Sequence, residues 1–412
     1  MDNTQSYKGQ RRALAFVLAA RVWLNGAVFG FGKREVQDRF AMSALGLPYE
    51  FVPPRMGLRV PSILQRILPW YMNRKYGIEH WEVRGASRLR KSVDAGKGII
   101  LTPNHSRDSD SLGIGFAGIP SHVHPHFMAG WHVILENGLQ KFVIPRAGGF
   151  SILREGSDRK AIRVATDLVT HDSRPLIVFP EGHVTRMNDR LADLQDGVAL
   201  IARQAARRRK SKANPGTTVH PVAIKYRFEG NFGHAIRPKL ARLERELDLS
   251  GTIPSGDVPR LERIREAIIG KTEIDDLLLP LEKKWRHPNS GSTYDRVRRL
   301  RTSILSHALK SKKSQGDLCR DLKTGTKALQ LASLQPEYLA EAPSVERYME
   351  TLDNLTEDVF GEINTDRPWR MVLEIGEPIE VSPEHKNLGK AIHSALKTQL
   401  AALTAELNQP LS

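Results

Sequence analysis

Residues 96–110 read GKGIILTPNHSRDSD, which is a turn, a short apolar run and a long polar run in immediate succession. The glycines predict the turn, Ile99 to Thr102 predicts a short buried strand, and the polar residues from Pro103 onward end it. Helical connections between such strands are typical of parallel pairing. We therefore predict an α/β fold with a mostly parallel central sheet flanked by helices. The other strand candidates are Trp81 to Val83, His126 to Met128, Leu176 to Phe179, Val219 to Tyr226 and Met371 to Ile375.

A long helical and charged stretch, from about residue 231 to residue 366, interrupts the strand pattern. Its apolar residues recur at helical spacing, and strand character returns only at Met371. We interpret the stretch as a helical insertion within one α/β domain, with two consecutive domains as the alternative. The prediction divides the chain into an N-terminal helical region at 1–79, a core at 80–230, the insertion at 231–366 and a C-terminal completion of the core at 367–412.

The chain is strongly basic. Its 412 residues include 62 Lys and Arg against 46 Asp and Glu, so the formal net charge of +16 predicts an anionic partner such as nucleic acid, anionic lipid or a phosphorylated substrate. With 40% apolar and 26% charged residues, the composition excludes a disordered, collagen-like or disulfide-stapled chain. The single cysteine, Cys319, excludes an intrachain disulfide and a four-cysteine zinc site, and it fits a reducing compartment.

Two apolar segments near the start could contact a membrane. Residues 13–31 are long enough to span a bilayer, but Arg21 and Asn25 interrupt them, and an arginine at mid-bilayer costs about 2.5–3.5 kcal/mol. We therefore expect an interfacial or packed helix there instead of a spanning one. Val60 to Tyr76 predicts an amphipathic helix kinked at Pro69, and its apolar stripe suits packing on its own domain as well as membrane contact.

Four blocks of polar or glycine residues adjoin the predicted strands. The first, Asn104 to Asp110, follows a buried strand, where open α/β sheets place their ligand sites. An imidazole, which titrates near pH ~6.5, can take a proton from a hydroxyl, and a carboxylate on its other ring nitrogen would fix its tautomer. For His105 both Asp110 and Asp108 have suitable spacing, and Asp108 could instead cap a helix. A single His and Asp are more often ordinary surface or core residues.

The other three blocks are weaker signals when taken one at a time. In Arg146 to Arg154 the glycines permit close backbone approach and an arginine can bind phosphate, although a glycine turn before a strand explains the pattern too. Phe179 to Arg186 places polar groups beyond the end of a strand, and an ordinary turn fits it equally well. Val219 to Lys225 predicts a buried strand, for which plain core packing is the better interpretation.

In this order and spacing, the four blocks together resemble the glycerolipid acyltransferase family, the lysophosphatidate and glycerol-phosphate acyltransferases. The resemblance covers about residues 80–230 and 370–409, where Gly376 to Ile379 is similar to the Gly-x-Pro-Ile turn near the end of these domains. The matching blocks are Asn-His-x4-Asp at Asn104 to Asp110, Gly-x3-Ile-x-Arg at Gly148 to Arg154, Phe-Pro-Glu-Gly at Phe179 to Gly182, and a strand with proline at Val219 to Val222.

The resemblance implies two catalytic residues: His105 as general base on the acceptor hydroxyl and Asp110 as the partner that orients it. In the third block the sequence departs from the family pattern, because His183 and Val184 separate Glu-Gly from Thr-Arg. In the first block Arg107 stands where the family often has serine. The resemblance also implies a substrate-binding region around the acceptor phosphate, made of Gly149, Arg154, Glu181, Gly182 and Arg186.

The implied activity is transfer of a fatty acyl group from an acyl-CoA or acyl carrier protein thioester to the hydroxyl of a lysophospholipid or glycerol phosphate. It requires no metal and no cofactor beyond the thioester co-substrate. We expect a peripheral protein on the cytoplasmic face of the membrane, attracted to anionic lipid by its basic runs. We expect no nucleic acid partner, because those runs contain no recognised binding motif.

Two other functions remain as alternatives. One is a catalytically silent membrane-binding protein on the same scaffold, which the net charge and the altered third block favour. The other is a metallohydrolase, which would need more ligands than His105 and Asp110. Histidines at 122, 124, 126 and 132 are available, but their spacing matches no zinc pattern.

Overall fold

The computed structural model describes residues 49–410 except 136, 154–157, 212–214, 250, 252–253, 271, 311–314 and 362–366. The apolar segment 13–31, for which an interfacial or packed helix is predicted, lies outside the described residues. Within them, no helix combines the length and the apolar character needed to cross a membrane. Helix α1, Arg59–Tyr76, contains Pro69 and confirms the helix predicted at Val60 to Tyr76.

One sheet contains all the strands of the described residues. Its order is β1-β7-β6-β2-β5-β3-β4, with β8 paired to β6. Five of the seven strand pairings are parallel, and β6 pairs antiparallel with β7 and β8. The predicted α/β fold with a mostly parallel sheet is therefore confirmed. The strands are β1 (Ile78–Arg84), β2 (Gly98–Pro103), β3 (His126–Gly130), β4 (Gly149–Ile152), β5 (Leu176–Ile177), β6 (Thr217–Phe228), β7 (Trp369–Ile375) and β8 (Ile379–Val381).

Helices cover both faces of this sheet. Two of them connect strands of the sheet: α6 connects β4 to β5, and α7 connects β5 to β6. These two pack together through small buried residues, among them Ala161, Ala165, Ala202 and Ala205, which let the helices approach closely. The helices up to this point are α2 (Ala86–Asp94), α3 (Asp110–Gly113), α4 (Trp131–Leu135), α5 (Gly138–Arg146), α6 (Arg159–His171) and α7 (Gly197–Ser211), with a 3₁₀ turn at Ile114–Gly118.

The core lies on both sides of the sheet because every strand residue points to the opposite face from its neighbour. In β2, Ile99 and Leu101 pack in one apolar cluster, whereas Ile100 packs in the other. A strand buried on both faces needs apolar residues at consecutive positions, which explains the unbroken apolar run in β2.

Seven helices occupy the described part of residues 231–361. They bury their apolar residues in two clusters of their own, one among α10, α11 and α12 and one centred on α8, α9 and α14. They interrupt the sheet only in sequence, since β6 precedes them, β7 follows them, and these two strands pair. The division into four segments stays a prediction. The helices are α8 (Phe232–Glu246), α9 (Asp257–Ile269), α10 (Ile274–Trp285), α11 (Thr293–Lys310), α12 (Gln315–Ser333), α13 (Pro336–Glu341) and α14 (Val345–Phe360).

The final helix, α15 (Leu388–Leu407), returns the chain to the sheet. Its buried side chains recur every three or four residues and form one apolar stripe that packs on β6. One strand, β8, is absent from the predicted set, whereas β4 follows Gly148, where the second block is interpreted as a glycine turn before a strand. β8 has only three residues and pairs with the start of β6, so no local sequence pattern indicates it. The stripe of α15 consists of Leu388, Ile392, Leu396, Leu400, Leu403 and Leu407.

Candidate active site

The candidate site lies at the edge of the sheet where the neighbouring parallel strands β2 and β5 end. Because parallel strands end at the same edge, the blocks that begin at Asn104 and Phe179 come together. Where the main chain leaves β2, the side-chain amide of Asn104 takes the place of a peptide group and extends the hydrogen bonding between β2 and β6. Its Nδ2 donates to the Ile224 carbonyl (3.0 Å), and its Oδ1 accepts from the Ile224 N–H (2.6 Å). These buried bonds fix the point at which His105 leaves the sheet.

His105 and Asp110 are brought into contact by a tight turn of the chain between them. The Asp110 Oδ2 atom lies 3.3 Å from His105 Nδ1 and accepts hydrogen bonds from the N–H groups of Ser106 (2.6 Å) and Arg107 (2.8 Å). His105 is 3% exposed and Asp110 is 0% exposed. The carboxylate in contact with the imidazole is thus that of Asp110, whereas Asp108 is exposed.

A tyrosine that is missing from the predicted site completes the surroundings of Asp110. The hydroxyl of the fully buried Tyr226, on β6, donates to Asp110 Oδ1 (2.5 Å) and lies 2.8 Å from Ser109 Oγ. The Asn188 amide pairs with both main-chain polar groups of Tyr226, at 3.0 and 3.1 Å. In the sequence Tyr226 is one position of a long buried strand, and no motif marks it. Its contact with Asp110 follows from the proximity of β6 to β2.

The loop that follows β5 packs directly against His105. The Phe179 ring lies 4.2 Å from the imidazole, centroid to centroid. The Thr185 N–H donates to the His105 carbonyl (2.8 Å), and the Thr185 hydroxyl donates to the same oxygen (3.2 Å). The first and third blocks of the sequence therefore form one structural unit around the imidazole.

Glu181 holds the main chain of His105. Its Oε1 accepts from the His105 N–H (2.6 Å) and its Oε2 from the Ala192 N–H (2.7 Å), so both oxygens are occupied. Burial raises the pKa of Glu181 to about 8, against these two hydrogen bonds, which lower it. This position differs from the acceptor-phosphate contact that the resemblance implies. The Glu181 carboxyl group is fully buried and both of its oxygens accept main-chain N–H groups, so it is not directed at a bound phosphate.

Two of the predicted substrate-binding glycines have packing roles in the structure. Gly182 has φ +78°, and a Cβ there would come within 3.2 Å of the Tyr294 hydroxyl, which donates to the Gly182 carbonyl (3.1 Å). Gly149 is buried in β4, where a Cβ would lie 2.6 Å from the Phe127 ring. β4 is separated from β2 by β5 and β3, or about 14 Å at the usual strand spacing. Arg154 lies outside the described residues.

Arg186, the remaining predicted phosphate ligand, bonds to helix α14. Its Nε donates to Asn354 Oδ1 (3.1 Å), its Nη2 donates to the Asn354 carbonyl (2.9 Å), and its Nη1 donates to Asp358 Oδ2 (3.2 Å). The side chain is 11% exposed. The guanidinium group is thus directed at the helices of residues 231–361, which differs from the implied contact with an acceptor phosphate.

Arg107 lies between the site and α14. Its guanidinium carbon is 4.0 Å from the centroid of the Trp369 ring and 4.7 Å from that of Tyr226, so the cation packs on two aromatic rings. Its Nε is 3.9 Å from Glu350 Oε1 of α14. Burial raises the pKa of Glu350 to about 7, although the charge of Arg107 lowers it.

Across the described ranges, no three His, Cys, Asp or Glu side chains lie where they could share a metal ion. In the fourth block, His220 is buried in β6, lies 2.9 Å from Ser92 Oγ and 3.0 Å from the Gly376 carbonyl, and its pKa is lowered by burial. This block is core, as its sequence pattern predicts.

Comparison with known proteins supports the resemblance. Residues 80–225 match a family model described as acyltransferase. No curated protein and no solved structure matches the chain. The matched range contains His105, Asp110 and Glu181, and it ends one residue before Tyr226. Residues 80–225 thus form an acyltransferase domain, which agrees with the resemblance to the glycerolipid acyltransferases.

Proposed function

We propose that the protein transfers a fatty acyl group from an acyl thioester to the hydroxyl of a lysophospholipid or glycerol phosphate. The observation that carries this proposal is the His105–Asp110 contact at the carboxyl edge of the sheet, within the acyltransferase domain. Acyl-CoA or an acyl carrier protein serves as donor, and the acceptor is the lipid alcohol.

The geometry suits general base catalysis. In the tautomer that carries its hydrogen on Nδ1, which lies 3.3 Å from Asp110 Oδ2, the imidazole presents Nε2 as the basic nitrogen. As Nε2 takes the acceptor's proton, the alcohol oxygen attacks the thioester carbonyl carbon and forms a tetrahedral oxyanion. The oxyanion then collapses and the carbon–sulfur bond breaks. The leaving thiolate takes up the proton that His105 had accepted, which returns the imidazole to its neutral form. Asp110 stabilises the imidazolium between the two proton transfers, and the protein forms no covalent intermediate.

A group of exposed apolar side chains supports membrane contact. Met56 and Leu58, just before α1, and Phe142 on α5 are each more than half exposed. The Arg55 N–H donates to the Pro145 carbonyl (2.8 Å), which places this segment beside α5. Apolar side chains next to exposed basic residues suit an anionic lipid surface. We propose that the protein acts peripherally at the cytoplasmic face of a membrane.

The direct test is transfer of a labelled acyl chain by the purified protein. Both thioester donors should be offered with lysophosphatidate and with glycerol 3-phosphate. We expect His105→Ala to lower kcat by about 10²- to 10⁴-fold, the usual contribution of a general base. His171→Ala is the matched control, because His171 is exposed at the end of α6 and should leave transfer unchanged.

Two outcomes would overturn the proposal: no transfer from either donor to any lysolipid, or full activity of His105→Ala. Liposome binding by wild type and His105→Ala with equal affinity, together with no turnover, would instead identify a catalytically silent membrane-binding protein. Co-sedimentation of the protein with anionic vesicles, measured together with acyl transfer, therefore distinguishes an acyltransferase from a catalytically silent membrane-binding protein.

A further inference from the structure

Asp110 has a second strong contact on the side away from His105. Its Oδ1 accepts the hydrogen bond of the Tyr226 hydroxyl (2.5 Å), while its Oδ2 faces the imidazole (3.3 Å). Since the single hydroxyl proton of Tyr226 points to Asp110, Ser109 Oγ at 2.8 Å must be the donor in the other bond of Tyr226. The result is a chain of hydrogen bonds from Ser109 through Tyr226 to the carboxylate.

We propose that Tyr226 is a positioning residue for acyl transfer: its hydroxyl holds the Asp110 carboxylate in the orientation that receives His105 and disperses part of the carboxylate charge. The proposal rests on the proposed function, because it concerns the same catalytic pair. Tyr226 acts through Asp110 and does not contact the substrate.

The two oxygens of Asp110 are fixed independently. The N–H groups of Ser106 and Arg107 hold Oδ2, and Tyr226 holds Oδ1, so rotation of the carboxylate about its Cβ–Cγ bond would break hydrogen bonds at both ends. Asp110 and Tyr226 are both 0% exposed. Water therefore has no direct access to replace the hydroxyl if it is removed.

Tyr226 is itself held and remains protonated. The Asn188 amide pairs with its main chain on β6, and Arg107 packs on its ring with the guanidinium carbon 4.7 Å from the centroid. Burial and the neighbouring Asp110 raise the pKa of Tyr226 well above its ordinary value, so the hydroxyl remains a donor throughout an ordinary assay range.

The other charged or titratable groups around the pair come from three elements. Arg107 and the exposed Asp108 belong to the turn between β2 and α3. Glu181, in the loop after β5, binds the His105 N–H, and Glu350 on α14 approaches Arg107 at 3.9 Å. Tyr226→Phe leaves these groups in place, so the variant changes one dipole next to Asp110.

The experiment is the pH dependence of kcat/KM for Tyr226→Phe. Without the hydroxyl the Asp110 charge is less dispersed and stabilises the imidazolium more strongly, so a higher pH is needed to obtain the neutral base. We expect the acidic limb of the profile to move to higher pH by about 0.5 to 1 unit. At neutral pH kcat should fall about three- to ten-fold, with the acceptor KM nearly unchanged.

Ser109→Ala is a second variant that should keep the core intact if Tyr226→Phe folds poorly. It removes only the donor to Tyr226, and it should move the limb in the same direction by a smaller amount. Tyr338→Phe is the matched control, because its buried hydroxyl donates to a different carboxylate, Glu350 Oε2 (2.6 Å). We expect its acidic limb to coincide with that of wild type.

An acidic limb that stays in place or moves to lower pH in Tyr226→Phe and in Ser109→Ala would overturn the inference. The His105→Ala variant separates this result from failure of the proposed function. If His105→Ala is inactive while the limb does not move, His105 is the base and Tyr226 has no positioning role. If His105→Ala is fully active, the proposed function itself is wrong.

Discussion

Single residues replace main-chain hydrogen bonds at the edge of the sheet. Asn104 pairs with both polar groups of Ile224, and Asn188 does the same for Tyr226 two residues further along β6. A side-chain amide carries one acceptor and two donors, so it can imitate a peptide group where the neighbouring strand has turned away. The chain can thus turn away from β2 and place His105 beyond the sheet, while the main-chain N–H and carbonyl groups of β6 keep their hydrogen-bond partners.

At this scale we predict that Asn104→Ala destabilises the protein by about 2 to 4 kcal/mol, because it leaves the N–H and carbonyl of Ile224 buried without partners. Urea unfolding measures the loss. The matched control is Asn231→Ala, which removes the N-cap of α8 and should cost about 1 kcal/mol. Equal losses in the two variants would show that Asn104 is an ordinary polar residue and does not continue the ladder.

Among the elements, helix α14 holds the loop that follows β5. It binds Arg186 through Asn354 and Asp358, and its Glu350 accepts from the Asn188 N–H (2.9 Å). The loop after β5 is held at a second point as well, where the His183 ring stacks on Tyr294 of α11 with centroids 3.8 Å apart. His183 is one of the two residues that separate this loop from the family pattern, so the departure coincides with the contact to the helices of 231–361.

For this element we predict that Arg186→Ala lowers the free energy of unfolding by about 3 to 5 kcal/mol, since it leaves the buried Asp358 without its cation. Arg237→Ala on α8 is the control. Arg237 is 68% exposed and pairs with Asp257 at 3.0 Å, and an exposed pair contributes about 0 to 1 kcal/mol. Chemical denaturation of both variants and of wild type measures the two losses in the free energy of unfolding. Unchanged stability of Arg186→Ala with a raised acceptor KM would favour the phosphate contact that the resemblance implies.

At the scale of the whole molecule, three carboxyl groups where the sheet edge meets the helices of 231–361 have raised pKa values. Burial is the largest cause of the raised pKa of Glu181, to about 8, and of Glu350 and Glu357, each to about 7. Positive partners oppose the shift without cancelling it: Arg107 beside Glu350, and Arg186 beside Glu357. A chain with a formal charge of +16 therefore has carboxyl groups that stay largely protonated under mildly acidic conditions.

These shifts predict how stability depends on pH. Because the pKa of Glu350 rises from 4.5 to about 7 on folding, the folded protein keeps a proton that the unfolded chain has lost in that window. The contribution to stability is fully present below pH 4.5 and is lost as the pH rises through about 7. We expect wild type to lose about 1 to 3 kcal/mol relative to Glu350→Gln between pH 4.5 and 7.5.

Urea unfolding at intervals across this range measures that difference. Glu337→Gln is the control, because Glu337 is exposed on α13, and its stability curve should run parallel to that of wild type. A Glu350→Gln curve that also runs parallel to wild type would show that Glu350 gains no proton on folding.

Local patterns in the sequence were sufficient for the class of fold and for the position of His105. Consecutive apolar residues between turn signals identified β2 and β7, because a strand buried on both faces requires them. The polar run after β2 placed His105 at the carboxyl edge, and its spacing to Asp110 allowed their contact. These features depend only on residues close together in the chain.

Contacts between residues distant in sequence decided the rest. Tyr226 reaches Asp110 because β6 pairs with β2. Arg186 hydrogen-bonds to Asp358 of α14, and Glu181 accepts a hydrogen bond from the His105 N–H. A motif states which residue types stand at which spacing, but the partner of a buried charge is set by whichever opposite charge or donor the tertiary structure brings within hydrogen-bond distance. For Arg186 the partner lies on α14, outside the motifs, and for Glu181 the partners are the main chain of a different motif block and Ala192 in the loop after β5.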